Sequence, residues 1–442
     1  MGKVEKNNAA LQINPVKLSQ PMGATLAFLG VDRCMPLLHG GQGCASFTKV
    51  YFTRHFNEPI ALQTTAVTDV VAVLDGGDYS IVEAVKNVSS KVYSEKGGPA
   101  LIGLYTSGLP ETKGDDIQRV AKQVDSPLVY VNTPDYSGGL ESGWALTCTA
   151  LINQICRPTT SINTHKAVLL PHVSMQPLEV ERIKEFIALF GYEVLALPDL
   201  STSLDGHLGE KQAALSSGGI EVAQIESLAD ASLVLSVGES MRPCAEALQG
   251  ENPHMRWHHS PHLGGLIATD ELTQVLLRES GTKTPPASVR RWRKRLQDAM
   301  LDTHFSLGQT GFAVVAEPDQ LASICATLYE AGGRVQYAVS PTDSAVLEHV
   351  RSEHVIVGDL GSLGGKEEDY SVLVGNFHCE RMAHQLGKGY VTRGFPNWEE
   401  VGNQLKDDLL YAGSAFFLCE CANAATLTRE QQDSHFEMKT SA

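Results

Sequence analysis

The sharpest chemical pattern in the chain is the stretch Leu37-Leu38-His39-Gly40-Gly41-Gln42-Gly43-Cys44-Ala45-Ser46-Phe47. Three glycines in the four positions before Cys44 let the backbone approach a bound group closely and take positive φ. A thiol directly after them sits where successive N–H groups can donate to its sulfur, which stabilises a thiolate or a metal–sulfur cluster. The same residues also read as a tight turn followed by a small buried cysteine. The local pattern leaves both readings open.

The other reactive side chains are less organised. The nine cysteines, at 34, 44, 148, 156, 244, 325, 379, 419 and 421, are odd in number and contain no CxxC pair, which argues against a disulfide framework and against a self-contained zinc site. Cys325 falls on an apolar helical stripe, and Cys34, Cys148, Cys156, Cys244 and Cys379 default to small hydrophobes. Cys419-Glu420-Cys421 follows the apolar run Ala415–Leu418 and fits adjacent faces of a C-terminal helix better than a metal clip. Trp257-His258-His259-Ser260-Pro261-His262, with His254 nearby, is irregularly spaced, and Pro261 disfavours a helix; the expectation is a solvated loop. Gly358-Asp-Leu-Gly361-Ser-Leu-Gly364-Gly365 follows an apolar run but fits neither GxGxxG nor the Walker pattern. No Ser-His-Asp or metalloprotease motif is present, so no catalytic residue is assigned.

Regular elements must hold these loops, and three segments repeat one grammar of strand, loop, amphipathic helix and strand. The first runs from Ala100–Tyr105 through a helix near Asp115–Val124 to Leu128–Val131, with Ile117, Val120, Ala121 and Val124 on one face. The second runs from Ala167–Leu170 through a helix carrying Ile183, Phe186, Ile187 and Phe190, then Gly191 as its stop, to Val194–Leu197. The third runs from Phe312–Ala316 through Leu321, Ile324, Cys325 and Leu328 to Val335–Val339. Leu233–Val237, Val355–Val357 and Val372–Val374 are further buried-strand candidates, and Val289–Met300, rich in Lys and Arg, reads as a solvated helix. Continuous apolar strands alternating with helices imply parallel sheets covered on both faces. The fold class is therefore α/β, with three Rossmann-like domains expected at 1–163, 164–305 and 306–442, the last including a C-terminal helix. Ligands in such sheets lie at the carboxyl ends of strands, so the loops after Tyr105 and Ala316 are candidate sites.

Bulk properties remove other classes. With 442 residues the chain exceeds one ordinary core. Lys plus Arg total 35 against 51 Asp plus Glu, a formal net charge of −16 that opposes nucleic acid and anionic membranes. No apolar run approaches the roughly 20 residues a membrane span needs. Met1 to Gln20 lacks the apolar core of a signal peptide and reads as an extended arm, so a cytoplasmic chain with reduced thiols is expected.

Several motifs in order resemble the nitrogenase component 1 family: Gln20-Pro-Met-Gly-Ala24, Pro36-Leu-Leu-His-Gly-Gly-Gln-Gly-Cys44, Arg54-His-Phe-Asn-Glu-Pro59, Ala268-Thr-Asp-Glu-Leu272, Met300-Leu-Asp-Thr-His304, Arg393-Gly-Phe-Pro396 and Tyr411-Ala-Gly413. The likeness covers roughly Gln20 to Ala422. The family's catalytic β subunit gives three cysteines to the eight-iron P-cluster. On an ungapped comparison Cys44 keeps one of these positions, while Ala27 and Gly108 occupy the other two. Neither a methyl group nor a hydrogen binds iron, so a P-cluster is not expected. One retained thiolate instead resembles the cofactor-assembly branch, whose β-type subunit shares a [4Fe–4S] cluster with NifE. The resemblance thus implies Cys44 as the metal ligand, a NifE partner in an α2β2 heterotetramer, and binding by the complex of an iron–molybdenum cofactor precursor. It implies NifB as precursor donor, transient docking of the iron protein NifH, and apo-nitrogenase as acceptor. It also places Arg54, His55 and Glu58 near the partner subunit, against an alternative of ordinary surface ion pairing. Two other readings remain open: a catalytic β subunit of a nitrogenase-like reductase, and a cluster-free Rossmann-type protein binding a small molecule.

Overall fold

The computed structural model of the chain describes residues 4–6, 16–65, 67, 77–90, 98–208, 215 and 217–440. Of the expected N-terminal arm, Val4–Lys6 form a short strand, β1, and Gln20 already opens a helix; residues 1–3 and 7–15 lie outside the described part. The chain gathers into two compact units.

The unit made of Leu18–His259 and Val401–Leu405 contains two sheets. It begins with helix α1 (Gln20–Leu29), strand β2 (Cys34–His39), helix α2 (Gln42–Phe56), strand β3 (Gln63–Thr64) and helix α3 (Asp78–Ser90). Strand β4 (Leu101–Thr106), the short helices α4 (Gly108–Lys113) and α5 (Ile117–Ala121), strand β5 (Leu128–Val131) and helix α6 (Leu140–Ile155) follow. The first sheet has the order β3-β2-β4-β5 and is parallel throughout. All six residues of β2 and of β4 are buried, as their unbroken apolar character requires of strands covered on both faces. One face packs Met35, Leu37, Ile102 and Leu104 against Ile81 and Val85 of α3 and Ile117 and Val120 of α5. Toward α1, the Phe28 and Tyr105 rings lie 5.9 Å apart and the Thr25 and Tyr105 hydroxyls 2.6 Å apart. Gly103 is required here, because a Cβ on it would stand 2.3 Å from the Phe28 ring.

The second sheet has the order β7-β6-β8-β9, built from β6 (Asn163–Leu170), β7 (Glu193–Ala196), β8 (Ala231–Val237) and β9 (Arg256–Ser260). Helix α7 (Pro177–Ala188) joins β6 to β7; Ile183, Phe186 and Ile187 are buried, as is Phe190 just beyond its end, and Gly191 takes φ +91°. Helices α8 (Val222–Glu226) and α9 (Arg242–Glu251) flank β8.

The other unit, Met1–Lys17, Ser260–Glu400 and Lys406–Ala442, holds one six-stranded sheet of order β1-β12-β11-β10-β13-β14, parallel throughout. Its strands are β10 (Gly311–Val315), β11 (Arg334–Ser340), β12 (His354–Val357), β13 (Val372–Gly375) and β14 (Gly389–Thr392). Its helices are α10 (Gly265–Ser280), α11 (Ala287–Gly308), α12 (Pro318–Glu330), α13 (Phe377–Leu386) and α14 (Leu410–Thr440). Three parallel sheets flanked by helices are the fold class expected from the strand–helix alternation.

Three local expectations need correction. The His-rich stretch is the edge strand β9, not a solvated loop: Trp257 donates to Ser236 Oγ at 2.8 Å and His259 Nδ1 lies 3.0 Å from the same hydroxyl, so alternate residues face β8. The basic helix α11 runs to Gly308 and buries Val289, Leu296, Thr303 and Leu307, so one of its faces belongs to the core. The helix expected over Asp115–Val124 shrinks to Ile117–Ala121, where Asp116 caps it by accepting from the Arg119 N–H at 2.9 Å.

Candidate metal centre

Cys44 stands in the first turn of α2, one of the two exposed cysteines among nine. The helix has Gly41 as its N-cap, no capping side chain and no acidic residue in its first turn. Its leading N–H groups and the positive end of its dipole are therefore free to favour a negatively charged sulfur or cluster. A Cβ placed on Gly41 or on Gly43 would meet nothing within 4 Å, so the space beside the thiol is open. Gly40 is the opposite case: a Cβ there would stand 2.3 Å from Ser107 Oγ.

That close approach ties the loop after β2 to the loop after β4. The Ser107 N–H donates to the His39 carbonyl at 3.0 Å. His39 itself is a buried strut, with Nδ1 2.9 Å from Thr65 Oγ1 and Nε2 3.1 Å from Asp115 Oδ2. Burial lowers its pKa, and the bond to Asp115 opposes that shift. The loop after β5 is fixed in turn by Thr133, whose N–H donates to Thr106 Oγ1 and whose hydroxyl donates to the Thr106 carbonyl, both at 2.8 Å. Asp135, two residues on, accepts the Gly108 N–H at 2.9 Å. Three loops from the carboxyl ends of neighbouring parallel strands thus support the site, as parallel sheets generally arrange. Burial raises the Cys44 pKa and the negative charge of Asp135 adds to the rise. The thiol holds its proton at neutral pH, and metal binding would release it.

Helix α2 and the loops after β4 and β5 also carry exposed apolar side chains. Phe47 is 68% and Val50 50% exposed on α2, with Leu109 at 46% on α4 and Tyr136 at 67% beside Asp135. Exposed aromatic and aliphatic groups of this kind are what a protein partner covers. Among the described residues, no group of three or more His, Cys, Asp or Glu side chains is placed to hold a metal ion.

The remaining sequence candidates fall elsewhere. Gly108 stands at the start of α4, and a Cβ on it would lie 3.2 Å from Asp135 Oδ2 and 3.3 Å from the Tyr136 ring. Ala27 is fully buried in α1. His55 is a buried strut within its unit rather than a surface residue, with Nε2 3.2 Å from Gln176 Oε1 and its carbonyl accepting from Asn403 Nδ2. Arg54 is exposed; Glu58 is half-buried, and burial raises its pKa. Cys421 is buried and Cys419 exposed on α14, the adjacent-face arrangement expected, and Cys34, Cys148, Cys156, Cys244, Cys325 and Cys379 are all buried. Gly358–Gly365 carries a short 3-10 turn, Leu360–Leu363. After β10 and Ala316, Glu317 is buried, with its pKa pushed up to about 8 first by burial and then by the charge of Asp319. Sequence reasoning missed Asp135 and the strut role of His39, and it singled out His55 for an interface or surface role rather than as a buried strut. The available signal for Asp135 was its place in the Thr133-Pro-Asp-Tyr-Ser-Gly-Gly139 turn directly after a strand.

The family model for nitrogenase component 1 type oxidoreductases matches residues 19–426. A protein of Rippkaea orientalis named nitrogenase iron-molybdenum cofactor biosynthesis protein NifN is 36% identical, over 96% of each chain. A protein of the same name from Bradyrhizobium diazoefficiens is 34% identical, over 98% of this chain and 93% of its own. Among solved structures, a chain of nitrogenase Cp1 at pH 6.5 superposes with a TM-score of 0.88 at 27% identity, covering 96% of this chain and 95% of that one. Among the described residues no helix is long and apolar enough to cross a membrane.

Proposed function

The chain belongs to the nitrogenase component 1 family, and from that premise we propose that it is the β-type half of an α2β2 assembly complex with a NifE-type subunit. On this reading the complex takes up an iron-rich precursor supplied by NifB. It holds this cargo while molybdenum and homocitrate are added with the help of the iron protein NifH, then passes the product to apo-nitrogenase. The names carried by the relatives support the assembly role. The cytoplasm is the compartment this role requires. The domain ranges 1–163, 164–305 and 306–442 are part of the proposal, the first carrying Cys44 and the partner surface.

Cys44 is the single observation that carries the reading. It is an exposed thiol in the first turn of a helix that opens on a glycine-rich loop, with exposed Phe47 and Val50 on the same helix and no companion ligand set among the described residues. A [4Fe–4S] cluster usually takes four thiolates. One sulfur here therefore leaves the other positions to a partner, and the exposed apolar side chains give that partner a surface to dry. When bound, such a cluster supplies one-electron transfer. The work of this chain is to present the sulfur, to stabilise it with the helix N–H groups, and to exclude water with those apolar side chains.

The test is anaerobic co-purification with the NifE-type subunit, followed by iron counting and electron paramagnetic resonance. Cys44→Ala is expected to leave a soluble complex without the [4Fe–4S] signal. Full retention of that signal in the variant would falsify the assignment, and an iron-loaded isolated chain would defeat the shared-site argument.

A further inference from the structure

Gly40 is the last clamped residue before the open stretch that leads to Cys44. Its carbonyl accepts the Thr64 hydroxyl at 2.8 Å and the Val67 N–H at 3.1 Å, and its own N–H donates to Thr65 Oγ1 at 3.3 Å. Thr65 Oγ1 in turn lies 2.9 Å from His39 Nδ1, and His39 Nε2 lies 3.1 Å from Asp115 Oδ2. Gly77 packs so close to this ring that a Cβ there would stand 2.4 Å from its Cε1. The direction of the bonds follows from what each group can do. The Gly40 N–H can only donate, and the Asp115 carboxylate, 3.5 Å from Lys113 Nζ, can only accept. Burial favours the neutral imidazole, so His39 carries its hydrogen on Nε2 and Nδ1 accepts the single hydrogen of Thr65. All three hydrogens point away from the loop, toward an acid whose side chain is 6% exposed.

The geometry points to Thr65 as the positioning residue that fixes where the glycine loop delivers Cys44, with His39 and Asp115 as its anchor. The inference rests on the reading of Cys44 as a cluster ligand and adds to it a support outside the loop. Helix α2 needs that support at its start. It opens without a capping side chain, and Gly41 and Gly43 raise the entropy cost of ordering its first turn. Gln42, Gly43 and Cys44 are exposed, while Phe52, His55 and Phe56 bury the far end of the helix. Packing therefore holds the end away from the thiol, and the clamp on Gly40 holds the end that carries it. Thr65 lies just beyond β3, so an edge strand of the sheet sets the entry of the helix.

The experiment compares wild type with Thr65→Val, which keeps the size and removes the hydroxyl, and Thr65→Ser, which keeps the hydroxyl. Hydrogen exchange, resolved by peptide on the full chain without metal, reads the amides of Gly40–Cys44 against those of the buried strand β4. Thr65→Val is expected to speed exchange over Gly40–Cys44 roughly tenfold, the loss of one buried hydrogen bond, with β4 unchanged. Thr65→Ser is expected to stay near wild type. In the complex with the NifE-type subunit, purified without oxygen, iron is counted and its loss to a chelator is timed. Thr65→Val is expected to lose iron about tenfold faster, as when the support behind a metal ligand is removed. Unchanged exchange over Gly40–Cys44 in Thr65→Val overturns the inference. So does a rise that β4 shares, which marks general destabilisation, and so does a Thr65→Ser chain as loose as Thr65→Val. A [4Fe–4S] signal that survives Cys44→Ala brings down the reading of Cys44 instead, and the purpose assigned to Thr65 with it, even where the exchange result holds.

Discussion

The loop after β14 and the loop after β2 each set a chemically strong side chain beside glycine: Arg393 before Gly394 in one, Cys44 after Gly43 in the other. Arg393 is only 5% exposed. Its Nε donates to Asp408, its Nη2 to Glu420 Oε2 at 2.6 Å and its Nη1 to the Thr392 carbonyl at 2.6 Å, while its guanidinium lies 5.1 Å from the Phe417 ring centroid. Its charge is matched and its donors are used within its own unit. Cys44 has an open side, an uncapped helix end and, among the described residues, no set of companion ligands. Both loops lie within the stretch the family model matches, yet one completes itself and the other does not. The difference separates a residue whose partners lie in its own unit from one that, on the proposed reading, is completed by another molecule.

The largest expected effect tests the closed side. Arg393→Ala leaves the Asp408 carboxylate, whose side chain is 10% exposed, buried without its cation. Breaking a buried pair in this way costs about 3–5 kcal/mol. Urea or thermal unfolding of the variant should show a loss of that order, or no soluble chain at all. A loss below about 1 kcal/mol, the range typical of a surface pair, would mean the cluster is not closed.

The sequence carried the closed features unevenly. Parallel sheets were legible because β4, β10 and β13 are largely unbroken apolar runs, and α7 was legible because its stripe and Gly191 obey helix periodicity, whereas β2 was not singled out. Strand β9 was not, since an edge strand built from Trp257 and His259 reaching for one serine has the composition of a loop. Nothing in the sequence marks His39 or His55 as a buried strut, and only the fold brings Thr65, Asp115 and Gln176 to their ring nitrogens. Cys44 could be singled out because its chemistry is local, in the glycines next to it. Asp135 lies 91 residues further on, and nothing short of the sheet order β3-β2-β4-β5 brings its charge to the thiol.

Glu317 is an intermediate case that sharpens the comparison. It is buried like Arg393, yet its Oε2 lacks a hydrogen-bond partner among the described residues. Burial and then the charge of Asp319 push its pKa from 4.5 to about 8, with Lys17 opposing. Between those two values the folded chain keeps a proton that the unfolded chain has lost, so stability falls as pH rises through the window. The slope is at most about 1.4 kcal/mol per pH unit. Glu317→Gln keeps the shape and cannot ionise. Its Tm should lie near the wild-type value at pH 5 and above it at pH 8.5; a difference between the two proteins that does not grow with pH would sink the argument.

The smallest effect is expected where the chemistry is strongest. Cys44→Ala removes one exposed sulfur from a helix turn whose neighbouring glycines leave empty space. The Thr48 hydroxyl bonds the carbonyl of residue 44 at 3.0 Å, and that backbone contact survives the substitution. No buried polar group is orphaned and no cavity opens, so the stability of the isolated chain should change by no more than about 0.5 kcal/mol. Denaturant unfolding without metal measures this directly. A loss of 2 kcal/mol or more, the range of about one core truncation, would place the thiol among the structural cysteines and erase its contrast with Arg393. A near-zero result leaves the thiol no structural role in the isolated chain, as the proposed reading requires.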